Sequence, residues 1–199
     1  ILIFSIKYME FDKIIKKRAS IKDYSNKEVK YDKIINAIES ANLAPSPGNL
    51  PIINYIIVED KETINKIADA CQQDFIKDAP VIVVICSDSK KVKLMYDKRA
   101  DKYIKQHVGA AIENFLLKIT EMNLASCWVG AFSELTARNI LNVPEDIDIE
   151  AILPVAYQPS SSHTIQRKKQ SIYQKVYFEK WNNRFKRGKE KVRRDDIWF

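Results

Sequence analysis

Glycine is scarce in this chain: four residues in 199, at positions 48, 109, 130 and 188. Their spacing rules out a G-x-G-x-x-G dinucleotide fingerprint and a G-x-x-x-x-G-K-[ST] phosphate loop. A G-x-S-x-G nucleophile elbow and an H-E-x-x-H zinc helix are missing too. Cysteine is equally sparse. Cys71, Cys86 and Cys127 are far apart, form no C-x-x-C, and have only His107 and His163 to join them. That argues against a zinc site and against a disulfide framework, and predicts buried thiols in a reducing, cytoplasmic setting. No apolar run approaches the ~20 residues that span a bilayer. The opening Ile1–Ile6 is apolar but short, without a basic flank or small-residue cleavage site, so it does not read as a signal peptide. Any cofactor phosphate must therefore be held by side chains and a few backbone amides.

What is present fits one compact domain. Hydrophobic residues make up 46% and charged residues 30% of the sequence, ordinary values for a globular protein. Charge is unevenly placed. Residues 167–199 hold 12 Lys and Arg against 4 Asp and Glu, a net of +8, while the first 166 residues carry a net of −1. A basic segment with interleaved aromatics raises nucleic acid as a partner. However, Tyr173, Tyr177 and Trp181 recur every four residues. That helical stripe predicts burial against protein, so nucleic acid is disfavoured.

Hydrophobic periodicity predicts helices over 11–17, 31–44, 63–72, 99–122, 134–141 and 171–185, and strands over 52–59, 80–87, 126–131 and 150–157. Residues 80–87 (PVIVVICS) are apolar throughout and predict a central strand covered on both faces. Four strands among helices imply a layered α/β or α+β sandwich. The expected organisation is a single domain over 1–185 and a basic tail over 186–199.

Two short segments carry the chemistry. In Arg18-Ala19-Ser20-Ile21-Lys22, an arginine offers a planar fork of donors matched to phosphate oxygens. Alternate residues Ser20 and Lys22 of an extended strip would point to the same side. In Ala44-Pro45-Ser46-Pro47-Gly48-Asn49-Leu50, prolines and a glycine fix a turn whose Ser46 and Asn49 could contact a flat heterocycle.

Together these segments resemble the two flavin-binding signatures of the FMN-dependent nitroreductase family, R-x-S-x-[RK] and A-P-S-x-x-N. Two later matches accompany them. Leu124–Phe132 (LASCWVGAF) is similar to the family's G-L-G-S-x-W-[IV]-G-x-F, and Gly109–Asn114 to its A-A-x-Q-N packing helix. Arg167-Lys168-Lys169, followed by Ile172–Trp181, looks like its closing basic element. This sequence departs from the pattern where Ala19 replaces a second arginine, Pro51-Ile52-Ile53 replaces Gln-Pro-Trp, and Ala156 replaces a glycine.

The resemblance implies an α+β fold with a central, mostly antiparallel sheet flanked by helices, and a C-terminal extension packed on a partner subunit. It implies a homodimer binding FMN non-covalently, with NADH or NADPH as donor and a nitroaromatic, quinone or similar small molecule as acceptor, in ping-pong fashion. Arg18, Ser20, Lys169 and Arg167 would hold the phosphate, beside Ala19. Lys22 would approach the N1/C2-oxygen edge. Pro45, Ser46, Pro47 and Asn49 would face a flavin held mainly by the other subunit. Val129, Gly130 and Ala131 would lie on the N5 side. The same fold would also suit flavin reduction, dehalogenation or a flavin carrier.

Overall fold

The computed structural model describes residues 10–159 and 175–183, two segments in separate compact units that are taken one at a time. In the first, six helices and four strands follow one another: α1 (Phe11–Lys17), α2 (Tyr31–Asn42), β1 (Ile53–Val58), α3 (Lys61–Cys71), β2 (Val81–Asp88), α4 (Lys90–Tyr96), α5 (Ala100–Glu121), β3 (Ala125–Ser126), α6 (Glu134–Leu141) and β4 (Ile147–Ala156). The strands form one sheet in the order β1-β2-β4-β3, with every pairing antiparallel.

Side-chain alternation along β2 builds a core on each face of the sheet. Val81, Val83 and Ile85 join Leu153 and Val155 of β4 beneath α2 and α5, around Phe115 and Ile112. Ile82, Val84 and Cys86 turn the other way, onto Ile64 and Ile67 of α3 and Ala137 of α6. The continuous apolar run of β2 is thus explained by helices on both sides of an antiparallel sheet. Helix α5 buries Ile104, Val108, Ala111, Ile112, Phe115 and Ile119, a stripe at helical spacing that lays it along the sheet.

A bulge in the β2–β4 register falls where Ile85 pairs with Ala151 and Cys86 with Ile149, leaving Glu150 as the extra residue. Its carboxylate accepts from Ser87 Oγ at 2.7 Å and from Lys105 Nζ at 2.6 Å, so the inward charge is paired.

Three expectations need correction. The strand expected over 126–131 is only Ala125–Ser126, followed by an isolated bridge between Val129 and Ile152. Both contacts share one register, which would set Cys127 opposite Pro154. Ile152 turns its amide and carbonyl toward Val129, so residue 154, two positions on, faces the same way. Being proline, it has no N–H to donate, and the ladder breaks there. The helix expected over 171–185 is absent from its described part, where 175–183 are turns and bends. Glu179 and Asn182 adopt φ of 62° and 67°, which no right-handed helix accommodates. Finally, α4 was not expected from the sequence. Only Val92 of its seven residues is buried, so it has no periodic apolar face to read.

Candidate functional site

The strip after α1 is pinned at the β3 edge of the sheet. Ile21 N–H donates to the Ser126 carbonyl at 3.0 Å and Ser25 N–H to that of Tyr157 at 2.8 Å. Tyr24 hydroxyl donates to the Ile21 carbonyl at 2.6 Å, and burial pushes its phenol far up, so it remains a neutral donor.

These bonds hold Arg18, Ser20 and Lys22 in an extended run. Arg18 is largely covered and meets Glu113 of α5 through Nε at 3.1 Å. Ala19 is half-buried, and Ser20 and Lys22 are exposed. Lys22 Nζ lies 4.8 Å from the centre of the Phe75 ring. Burial raises the pKa of the Cys127 thiol, and the nearby Lys22 charge and Ser20 hydroxyl oppose that shift.

Beside the strip is a small cavity of about 90 Å³ lined by Arg18, Ala19, Ile119, Thr120, Ser126 and others. Ser126 Oγ is buried there with no hydrogen-bond partner. A guanidinium, two hydroxyls and an ammonium, one hydroxyl unsatisfied, are a donor set suited to a phosphate and to ring oxygens. The residues present fit FMN.

The second segment follows α2, which ends at Asn42 rather than Ala44, and makes a tight turn over Pro47–Asn49. Gly48 sits at φ +59°, and a Cβ there would stand 3.0 Å from both Met95 Sδ and Tyr96 Oη of α4. Glycine is needed at this point for conformation and for close approach. Gly48→Ala is expected to cost about 1–2 kcal/mol of stability, the penalty of a left-handed residue with a side chain. A urea-unfolding midpoint equal to that of the unaltered protein would show the turn to be free of this constraint.

Around the turn lie two adjoining cavities. One, of about 430 Å³, runs from Pro45–Pro47 to Tyr96, Tyr103 and His107. The other, of about 880 Å³, follows Asn42–Asn49 to Ile53 and again reaches His107. Neither shares a residue with the cavity at Arg18. The two signature segments line different cavities of the chain.

Val129 is buried in its bridge to Ile152, while Gly130 and Ala131 are exposed on the following loop. Trp128 is 42% exposed and lies over Gly109 of α5, where a Cβ would be 4.0 Å from its ring. Arg167 and Lys169 lie outside the described residues. Three contributors escaped the sequence reading: Glu113, which engages Arg18, Ser126 with its orphaned hydroxyl, and His107. The first belongs to a motif quoted only for packing. Ser126 lies in the Leu124–Phe132 match, quoted there without a role of its own, and His107 is a single polar residue in apolar surroundings, which carries no spacing signal.

Among the described residues no helix is long and apolar enough to cross a membrane, and no three His, Cys, Asp or Glu gather as metal ligands.

Comparison with known proteins bears on the family and the fold. A protein of Archaeoglobus fulgidus, named as an NADH dehydrogenase/NAD(P)H nitroreductase, is 28% identical over 174 residues, covering 85% of this chain and 97% of its own. A nitroreductase family protein from Clostridium novyi NT superposes with a TM-score of 0.71 at 25% identity, over 88% of this chain and 96% of its own. An FMN-dependent nitroreductase from Clostridium difficile R20291 does so with a TM-score of 0.71 at 26% identity, over 84% and 98%. The sequence profile of the Nitroreductase family matches residues 15–74 and 67–157. With that match spanning well over half of its length, the chain belongs to the nitroreductase family.

Proposed function

We propose that this protein is an NAD(P)H-dependent FMN oxidoreductase working as a homodimer, with each flavin shared between two copies. The observation that supports this most is the separation of the two signature segments onto cavities with no residue in common. A flavin touching both would draw on Arg18–Lys22 of one copy and Pro45–Asn49 of the other.

In this reading Arg18, which also meets Glu113 through Nε, binds phosphate oxygens through its guanidinium. Ser20 donates alongside it, and Arg167 and Lys169 return to the same phosphate. Gly130 and Ala131 present backbone amides to the ring, flanked by Val129, whose own N–H is taken by the Ile152 carbonyl, and Pro45, Ser46, Pro47 and Asn49 of the other copy cover it. Bound FMN supplies the redox chemistry, taking hydride from NADH or NADPH and passing electrons to a nitroaromatic, quinone or similar small acceptor in alternating half-reactions. That division of labour accounts for a site with no nucleophile–base pair in view. The domain spans 1–185, with 186–199 as a basic tail, and 175–183 belongs to an extension that packs on the partner without a continuous helix. Three buried free thiols suit a cytoplasmic setting.

Initial rates with NADH or NADPH varied against a quinone should give parallel double-reciprocal lines. Intersecting lines would contradict the alternating scheme.

Lys22 contributes charge rather than grip. Lys22→Met keeps an apolar stem and deletes the ammonium, so affinity for oxidised FMN should weaken only modestly. The flavin reduction potential should fall by about 30 mV, as expected for one partly screened charge near the N1/C2-oxygen edge. A potential unchanged within error would place Lys22 away from that edge.

A further inference from the structure

His107 is the one buried imidazole among the described residues, 6% exposed, and the FMN-binding roles above make no use of it. It is one of the buried residues of α5 and lines both cavities around the Pro45–Asn49 turn. Its Nδ1 is buried without any hydrogen-bond partner. A proton on Nδ1 would therefore be a buried donor with nothing to receive it, so the tautomer with the proton on Nε2 is favoured. Burial also lowers the pKa of the ring, which keeps it from carrying a second proton. Nε2 is then an N–H donor, and it is the nitrogen with access to the cavities.

The surroundings define what such a donor would meet. Tyr96 and Tyr103 stand edge to face, with ring centroids 5.1 Å apart at 88°. Pro45, Pro47 and Ala110 complete apolar walls, with Ser46 and Gln106 at the polar margin. Aromatic faces and proline rings accept a flat aromatic body. A largely buried N–H donor among these walls favours an oxygen acceptor on that body, because leaving the donor unpaired is costly.

We propose that His107 is a specificity-determining residue of the electron-acceptor site, donating a hydrogen bond from Nε2 to a carbonyl or nitro oxygen of a planar aromatic acceptor held against Tyr96, Tyr103 and the 45–47 turn. This rests on the oxidoreductase reading above, which supplies the need for an acceptor.

The test is equilibrium binding to the oxidised, FMN-saturated protein with no nicotinamide present, so that it does not depend on turnover. The probe is 2,3-dimethyl-1,4-naphthoquinone, and 2,3-dimethylnaphthalene is the control that lacks only the carbonyls. His107→Leu should weaken quinone binding about tenfold relative to the hydrocarbon, the size of one hydrogen bond. His107→Gln, whose amide N–H reaches the place of Nε2, should recover most of that loss, whereas His107→Asn, whose amide corresponds to Nδ1, should not. In the unaltered protein, the imidazole nitrogen spectrum should show His107 protonated at Nε2 and that nitrogen shifting on quinone addition. Only His163 shares this spectrum. An unchanged quinone-to-hydrocarbon ratio in His107→Leu, or an Nδ1-protonated ring in the quinone complex, would overturn the proposal. Failure of the oxidoreductase reading would look different: no reduction by NADH or NADPH, with quinone binding still dependent on residue 107.

Discussion

Arg18→Ala/Lys169→Ala is expected to release nearly all FMN on buffer exchange, with affinity lowered about a hundred- to ten-thousandfold. A charge-assisted hydrogen bond contributes ~1.5–3 kcal/mol, and two such contacts to one phosphate are removed. Loss of Arg18 does further harm, because Glu113, now held by its guanidinium at 3.1 Å, would be left as a free anion beside the phosphate. The measurement is FMN fluorescence titration of the apo protein, with circular dichroism to confirm that the double variant keeps its fold. Flavin retention equal to that of the unaltered protein would sink the assignment of both residues.

Phe115→Ala should be the most damaging single truncation in the fold. Phe115 is fully buried on α5, in the core beneath Val83 and Leu153. Emptying such a site costs about 3–5 kcal/mol, a large part of the ~5–15 kcal/mol that keeps a domain folded. In urea the midpoint should fall steeply while the slope stays constant, since the surface exposed on unfolding changes little. Phe115→Leu, which fills most of the volume, should recover much of the loss. A Phe115→Ala midpoint within experimental error of the unaltered protein would mean that α5 does not rest on the sheet through this residue.

The sequence made the layered architecture legible wherever burial was periodic. Ile34, Ala37 and Ala41 mark α2, and the stripe from Ile104 to Ile119 marks α5, because each helix buries one face. The run over 80–87 announced a strand covered on both sides, and β2 is buried along seven of its eight residues. Legibility failed where local pattern and long-range pairing part company. Residues 126–131 have strand composition, but the proline that interrupts their ladder stands on β4, some 25 positions away in the chain. Helix α4 hangs on Val92 and on its approach to Gly48, neither of which is a periodic signal. Among the candidate residues, the Arg18–Lys22 strip and the Pro45–Asn49 turn were visible as motifs. Ser126 fell inside the Leu124–Phe132 match and His107 in none, and what distinguishes both is an unpaired polar atom, a property of packing alone.

The most direct measurement is the visible spectrum of the purified protein, saturated with FMN, exchanged into buffer and kept anaerobic, before and after addition of NADH or NADPH. The account predicts an oxidised-flavin band at close to one FMN per chain, carried by a dimer, that bleaches on addition of at least one nicotinamide and returns when a quinone is added. A protein that retains no flavin, or whose flavin band persists with both nicotinamides in excess, would contradict it.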